Sequence, residues 1–261
     1  MTGDPTTPDA PVLTEARDGV LVITLNRPQA RNAVNAALAR GLAGALDALD
    51  ADEALAVGVL TGAGAGFCAG MDLKAFVAGE SSWVEGRGFA GIAQRAARKP
   101  LIAAVEGFAV AGGLEIALAC DLIVAARGAR LGVPEVKRSL VAAAGALLRL
   151  PRRLPYGVAM ELALTGDPID AERAHELGLV NRLAEPGGAL GGALELARAI
   201  AVNGPLALRA TKEVLERQWD WGEEEFWARQ AEITGPVFAS DDAREGAIAF
   251  AEKRPPVWRG R

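Results

Sequence analysis

Two acids and a pair of glycines carry the most chemical promise in this 261-residue chain. Gly112 and Gly113 stand where an apolar run gives way to a helical pattern, and such a mouth leaves the first N–H groups of the helix unpaired. Those groups can hold an oxygen that is gaining negative charge. Glu115 falls in the first turn of the same helix, and Glu135 follows Pro134 after the next strand. Two carboxylates around one reactant divide into base and acid, because the charge on one raises the pKa of the other. Proton transfer beside a stabilised oxyanion is the chemistry this set allows. Taken singly, each acid also has an ordinary explanation, Glu115 as a favourable charge at a helix start and Glu135 as a solvated loop residue.

The elements that must position them lie in residues 101–135, LIAAVEGFAVAGGLEIALACDLIVAARGARLGVPE, which read as strand, glycine turn, helix, strand. Upstream, VLTEA and VLVITLN flank Arg17, Asp18 and Gly19 as a hairpin, and Pro28 ends the second strand. NAALARGLAGALDAL repeats apolar residues at helical spacing behind Asn35, a suitable cap, and AVGVLT is a third strand. Between Ser81 and Lys99 the pattern, WVEGRGFAGIAQRAARK, predicts a helix with a mobile first half. Downstream, VKRSLVAAAGALLRLP and YGVAMELALTG predict two short helices separated by Pro155, and AERAHELGLV with NRL a helix and a short strand. Only helices are expected after that. The division is a loose polar tail over residues 1–10, an α/β core over 11–200 and a helical region over 201–261.

Composition narrows the partners. Apolar residues make up 51% and charged ones 23%, which suits a folded protein with a sizeable core. A net charge of −5 with dispersed Lys and Arg provides no basic stripe for nucleic acid. One histidine, His175, and two cysteines, Cys68 and Cys120, exclude tri-histidine sites, HExxH helices and paired CxxC frameworks, so no metal is expected. The opening MTGDPTTPDA lacks the basic-then-apolar pattern of a secretory leader. Glu106, Glu115 and Asp121 interrupt the longest apolar tract, which argues against a membrane helix. The expectation is a cytoplasmic protein that acts on a small molecule.

A second glycine segment, GAGAGFCAGMDLKAF, has several readings. Gly64, Gly66 and Ala69 fit a loose dinucleotide pattern, with Glu85 at a suitable distance. Residues 66–70 also mimic a nucleophile elbow built on Cys68, which would need His175 as its base. A third possibility is that the loop supplies a backbone N–H opposing the one at Gly112, and a plain surface turn is the fourth.

GAGAGFCAGMDLKAF, KPLIAAVEGFAVAGGLEIALACDLIVAA, LGVPE, LTGDPIDAERAHELGLVNRL and DAREGAIAFAEKRPPVWRGR together resemble the crotonase superfamily of enoyl-CoA hydratases and isomerases, in register from about Val12 to Arg261. The resemblance implies a spiral of repeated ββα units with a C-terminal helical region, assembled as a trimer or a dimer of trimers. It implies that Met71 and Gly112 donate the two oxyanion-hole N–H groups to an acyl-CoA thioester. Glu115 and Glu135 become the catalytic carboxylates, while Ala69, Gly70, Asp72 and Lys74 border the CoA moiety and Lys253 reaches CoA from a neighbouring subunit. No cofactor is implied, since coenzyme A is part of the substrate. The chain departs from the hydratase pattern at Ala142 and Ala143, where proline and a water-holding glycine are expected. LRLP and the closing AFAEKRPPVWRGR resemble the carnitinyl-CoA dehydratase branch, so hydration of crotonobetainyl-CoA, double-bond isomerisation and non-catalytic acyl-CoA binding stand beside enoyl-CoA hydration.

Overall fold

The computed structural model describes residues 9–261; residues 1–8 of the expected tail lie outside the described residues. The hairpin forms as β1, Val12–Arg17, and β2, Val20–Leu25, with Asp18 and Gly19 at positive φ in the turn. Helix α1, Ala36–Ala51, starts where Asn35 accepts the N–H of Leu38, and it buries Leu38, Leu42, Leu46 and Leu49 along one stripe.

Three successive stretches then repeat one path: a strand in a large sheet, an extended segment in a small one, a helical turn. The first is β3, Val57–Gly62, then an isolated bridge from Cys68 to Ala109, then α2, Leu73–Val77. Two two-residue strands, β4 at Trp83–Val84 and β5 at Gly88–Phe89, pair in the excursion that follows. The second repeat is β6, Leu101–Val105, β7, Phe108–Val110, and α3, Gly112–Ala119. The third is β8, Leu122–Ala126, β9, Arg130–Gly132, and a 3-10 turn over Pro134–Arg138. This is the expected α/β spiral of ββα units.

Helices α4, Ala146–Arg153, and α5, Tyr156–Thr165, precede a short strand β10, Ile169–Asp170, helix α6, Ala171–Glu176, and strand β11, Arg182–Ala184. The large sheet runs β1-β2-β3-β6-β8-β11, parallel apart from the hairpin; the small one runs β10-β9-β7.

Alternation along the large-sheet strands feeds two cores. Ile23, Leu60, Ala103 and Val105 face α1 and α3, while Val22, Val59, Ile102 and Ala104 face α7, Ala189–Ala201. The C-terminal helical region follows as α8, Pro205–Arg217, α9, Glu223–Phe238, and α10, Asp241–Glu252. Lys212 of α8 ties it to the core: its ammonium is buried and donates to Asp121 at 2.7 Å and to Lys99 O at 3.0 Å.

Two expectations fail locally. Residues 81–99 are not a helix. Gly86, Gly88, Ala90 and Gly91 take positive φ, and Arg87 is buried in an ion pair with Asp47 while donating to Arg95 O, so turns tied to α1 replace helical hydrogen bonds. The stretch VKRSLVAAAGALLRLP is helical only at its ends, because Ser139 and Gly145 adopt left-handed conformations between the 3-10 turn and α4. The short strands β7, β9 and β10 carry no alternation long enough to read from sequence.

Candidate active site

The repeat explains how residues far apart in sequence meet. Ala109 pairs with Cys68 on one side and with Leu131 on the other. Met71 and Gly112 each lie three residues past their member of that row, and Glu135 lies four past Leu131. All three stand where the small-sheet path gives way to a helical turn.

The backbone at this level is tightly interlocked. Val110 N–H donates to Cys68 O at 3.1 Å and Ala111 N–H to Gly132 O at 2.9 Å. A methyl on Gly113 would overlap Cys68 O, and one on Gly70 would stand 2.9 Å from Gly112 N. Ala111 enters α3 at φ 52°, ψ −133°, a strained conformation for alanine, and so turns the following N–H groups away from the small sheet. Met71 N–H and Gly112 N–H make no hydrogen bond within the described residues. They are therefore two free donors on adjoining segments. Phe89 packs beside them, since a methyl on Gly112 would come within 2.6 Å of its ring. Trp83 meets Phe89 edge to face at 6.3 Å.

The two glutamates differ in how they are held. Glu115 is 3% exposed, and its Oε1 accepts Ala144 N–H at 2.7 Å and Ala146 N–H at 3.1 Å. Burial raises its pKa, while the two N–H groups and the nearby Arg149 charge oppose that rise. Glu135 Oε2 is buried without a partner. Burial raises the Glu135 pKa as well; its own backbone N–H works against the shift and the negative charge of Glu115 adds to it. One carboxylate is fixed by two donors from another segment, whereas Oε2 of the other has no partner. The donors to Glu115 stabilise its ionised form, and nothing bonded to Glu135 Oε2 does the same.

The other residues named from the sequence fall in distinct places. Ala69 and Gly70 line the strip ahead of Met71, with Ala69 N–H on Arg31 O at 3.1 Å. Asp72 caps α2, accepting from Lys74 N and Ala75 N, and pairs with Arg27 at 3.0 Å, so it braces the loop. Lys74 is exposed on α2. Lys253 is exposed at the end of α10, which packs chiefly on α9. Ala142 is buried and Ala143 exposed, and Ala143 N–H has no acceptor among the described residues.

The cysteine-elbow reading fails. Cys68 is fully buried, its thiol is pushed up to about 12 by burial, and it lies against Asn32 O at 3.1 Å. His175 is engaged elsewhere, its Nδ1 2.9 Å from Val180 O. The dinucleotide reading fails too, because no helix opens at Ala69 behind β3. Among the described residues no three His, Cys, Asp or Glu side chains are grouped to hold a metal ion. Among them, too, no helix is long and apolar enough to cross a membrane. Sequence reasoning missed Arg149 and the N–H groups of Ala144 and Ala146, because the run carrying them looks like an ordinary apolar helix.

A spiral that carries two carboxylates and two N–H groups without partners among the described residues holds the groups that acid–base chemistry at a stabilised oxyanion requires. Residues 15–261 match the family described as enoyl-CoA hydratase/isomerase, and the chain belongs to that family. It is similar to the protein named enoyl-CoA hydratase EchA19 of Mycobacterium tuberculosis, 44% identical with 97% of each chain covered. It is 41% identical to a carnitinyl-CoA dehydratase of Salmonella arizonae, covering 92% of this chain and 95% of that one. A crystal structure of enoyl-CoA hydratase EchA1 from Mycobacterium marinum superposes with a TM-score of 0.96 at 61% identity, covering 97% of this chain and all of the other.

Proposed function

We propose that this chain is an enoyl-CoA hydratase, a hydro-lyase that adds water reversibly across the C2=C3 bond of a trans-2-enoyl-CoA. Its strongest support is the contrast between Glu115, gripped by two N–H groups, and Glu135, whose buried Oε2 has no partner within the chain. Glu115 takes a proton from the water, aided by the free N–H of Ala143. As the oxygen bonds to C3, electron density moves through the conjugated system to the thioester oxygen, which Met71 N–H and Gly112 N–H receive. Such fixed donors are worth ~10²–10³ in rate each. Glu135 then delivers a proton to C2 and the carbonyl re-forms; the proton gained by Glu115 leaves and Glu135 is reprotonated from solvent, which restores the starting state. Ala69, Gly70, Asp72 and Lys74 border the CoA moiety, and no further cofactor enters the scheme.

The 41% identity to a carnitinyl-CoA dehydratase supports a second reading, hydration of crotonobetainyl-CoA. An assembly of three or six copies accords with the exposed Leu147, Tyr156, Trp227, Phe238 and Phe250, and would let Lys253 reach CoA bound to a neighbour. The proposed location is the cytoplasm. Mixing the purified chain with crotonyl-CoA and with crotonobetainyl-CoA, and following loss of the conjugated thioester absorbance, tests the scheme. Faster loss with the first supports enoyl-CoA hydration and faster loss with the second the alternative. Double-bond migration without water addition would mark an isomerase, and tight CoA binding with neither reaction a binding protein.

A further inference from the structure

Among the described residues, two buried side-chain polar atoms lack a hydrogen-bond partner. One is Glu135 Oε2, to which the proposed scheme assigns proton delivery at C2. The other is Arg149 Nη1, on α4. Leaving an arginine nitrogen buried and unpaired is costly, so its position calls for a reason. The same guanidinium donates through Nη2 to Ala93 O at 2.7 Å, in the turns that follow Phe89. Nη1 lies directly on Gly145, so close that any methyl there would overlap it. Gly145 is the residue between Ala144 and Ala146, whose N–H groups hold Glu115 Oε1.

We propose that Arg149 is a positioning residue for Glu115: clasped to Ala93 O and lying on Gly145, it locks the 144–146 turn that grips the carboxylate, and its positive charge favours the ionised form. This rests on Glu115 being the base. The charges that act on Glu115 are those of Arg149 on α4 and Glu135 in the 3-10 turn, while β7 and β8 carry no titratable side chain within their strands. Arg149 also feels the charges of Arg153, Cys120 and Glu216, and those groups feel Asp121, with Lys212 acting on Glu216. Arg153 is occupied by Cys120 O at 2.7 Å and Lys212 by Asp121, which leaves Arg149 as the cation whose charge acts on Glu115. A lysine would keep the charge but lose the planar fork that reaches Ala93 O and Gly145 together.

The test compares wild type, Arg149→Met, Arg149→Lys and Glu115→Gln over pH, with kcat and KM for crotonyl-CoA and circular dichroism as a check on folding. Arg149→Met should lower kcat about 10²-fold with KM within about threefold, and move the acidic limb of the pH profile up by about one unit. Arg149→Lys should hold the limb near its wild-type position while kcat falls about tenfold. A folded Arg149→Met with an unmoved limb overturns the proposal. Should that variant fail to fold, Arg149→Lys decides: a wild-type kcat overturns the proposal, and a reduced kcat with the limb in place supports it. Full activity in Glu115→Gln would remove the catalytic scheme itself, whereas an inactive Glu115→Gln beside a wild-type limb in Arg149→Met would remove only the role given to Arg149.

Discussion

Gly113 sits against the carbonyl of Cys68 so closely that no side chain fits between them. The contact joins two turns of the spiral and brings the N–H of Gly112 beside the segment that ends in Met71. A methyl at Gly113 must push the turns apart. Gly113→Ala is expected to lower stability by ~2 kcal/mol or more and to cut kcat, read by urea denaturation and by turnover. Wild-type values in both would show that the interlock is unnecessary.

Under the proposed scheme the two acids set the pH response of turnover. Burial lifts both carboxyl groups, and the charge of Glu115 lifts Glu135 further. Activity should rise as Glu115 ionises and fall as Glu135 loses its proton, giving a bell in kcat/KM whose acidic limb lies above the ordinary carboxylate range. Glu135→Gln should lower turnover about 10²–10⁴-fold over the whole range. A flat profile from pH 4 to 8 in the wild type would contradict the pairing.

Stability should respond in the opposite sense. A carboxyl group whose folded pKa exceeds its ordinary value of 4.5 holds its proton more tightly in the folded chain. Stability therefore declines as pH rises from 4.5 through the raised values. Glu135→Gln removes one such group and should unfold at a higher urea concentration than wild type at pH 7. Parallel stability curves for the two proteins would show that Glu135 is not penalised by burial.

Cys68 supports the fold and takes no part in the chemistry. Its thiol is buried and pushed up to about 12, so it should resist thiol reagents in the folded chain and react only on unfolding. Cys68→Ala should keep kcat and lose about 1 kcal/mol of stability. Loss of activity in a folded Cys68→Ala would restore the nucleophile reading.

Much of the fold was legible because its strands and helices have strong periods. The hairpin β1–β2, the cap at Asn35, the run LIAAV and the C-terminal helices all follow from local pattern. The site was legible in part. Gly112, Glu115 and Glu135 announce themselves by type and position, but their convergence depends on the small sheet, whose strands β7 and β9 are three residues each. Residues 81–99 misled because helical spacing says nothing about a buried Arg87 that draws the backbone into turns against α1. Ala144 and Ala146 act through main-chain N–H groups, which residue type does not reveal.

Steady-state turnover of crotonyl-CoA by wild type, Glu115→Gln and Glu135→Gln, with thioester affinity measured on the same samples, bears most directly on the claim that these two acids perform the hydration. Each variant should lose about 10²–10⁴ in kcat while binding the thioester within a few-fold of wild type. Near-normal kcat in either folded variant would contradict it.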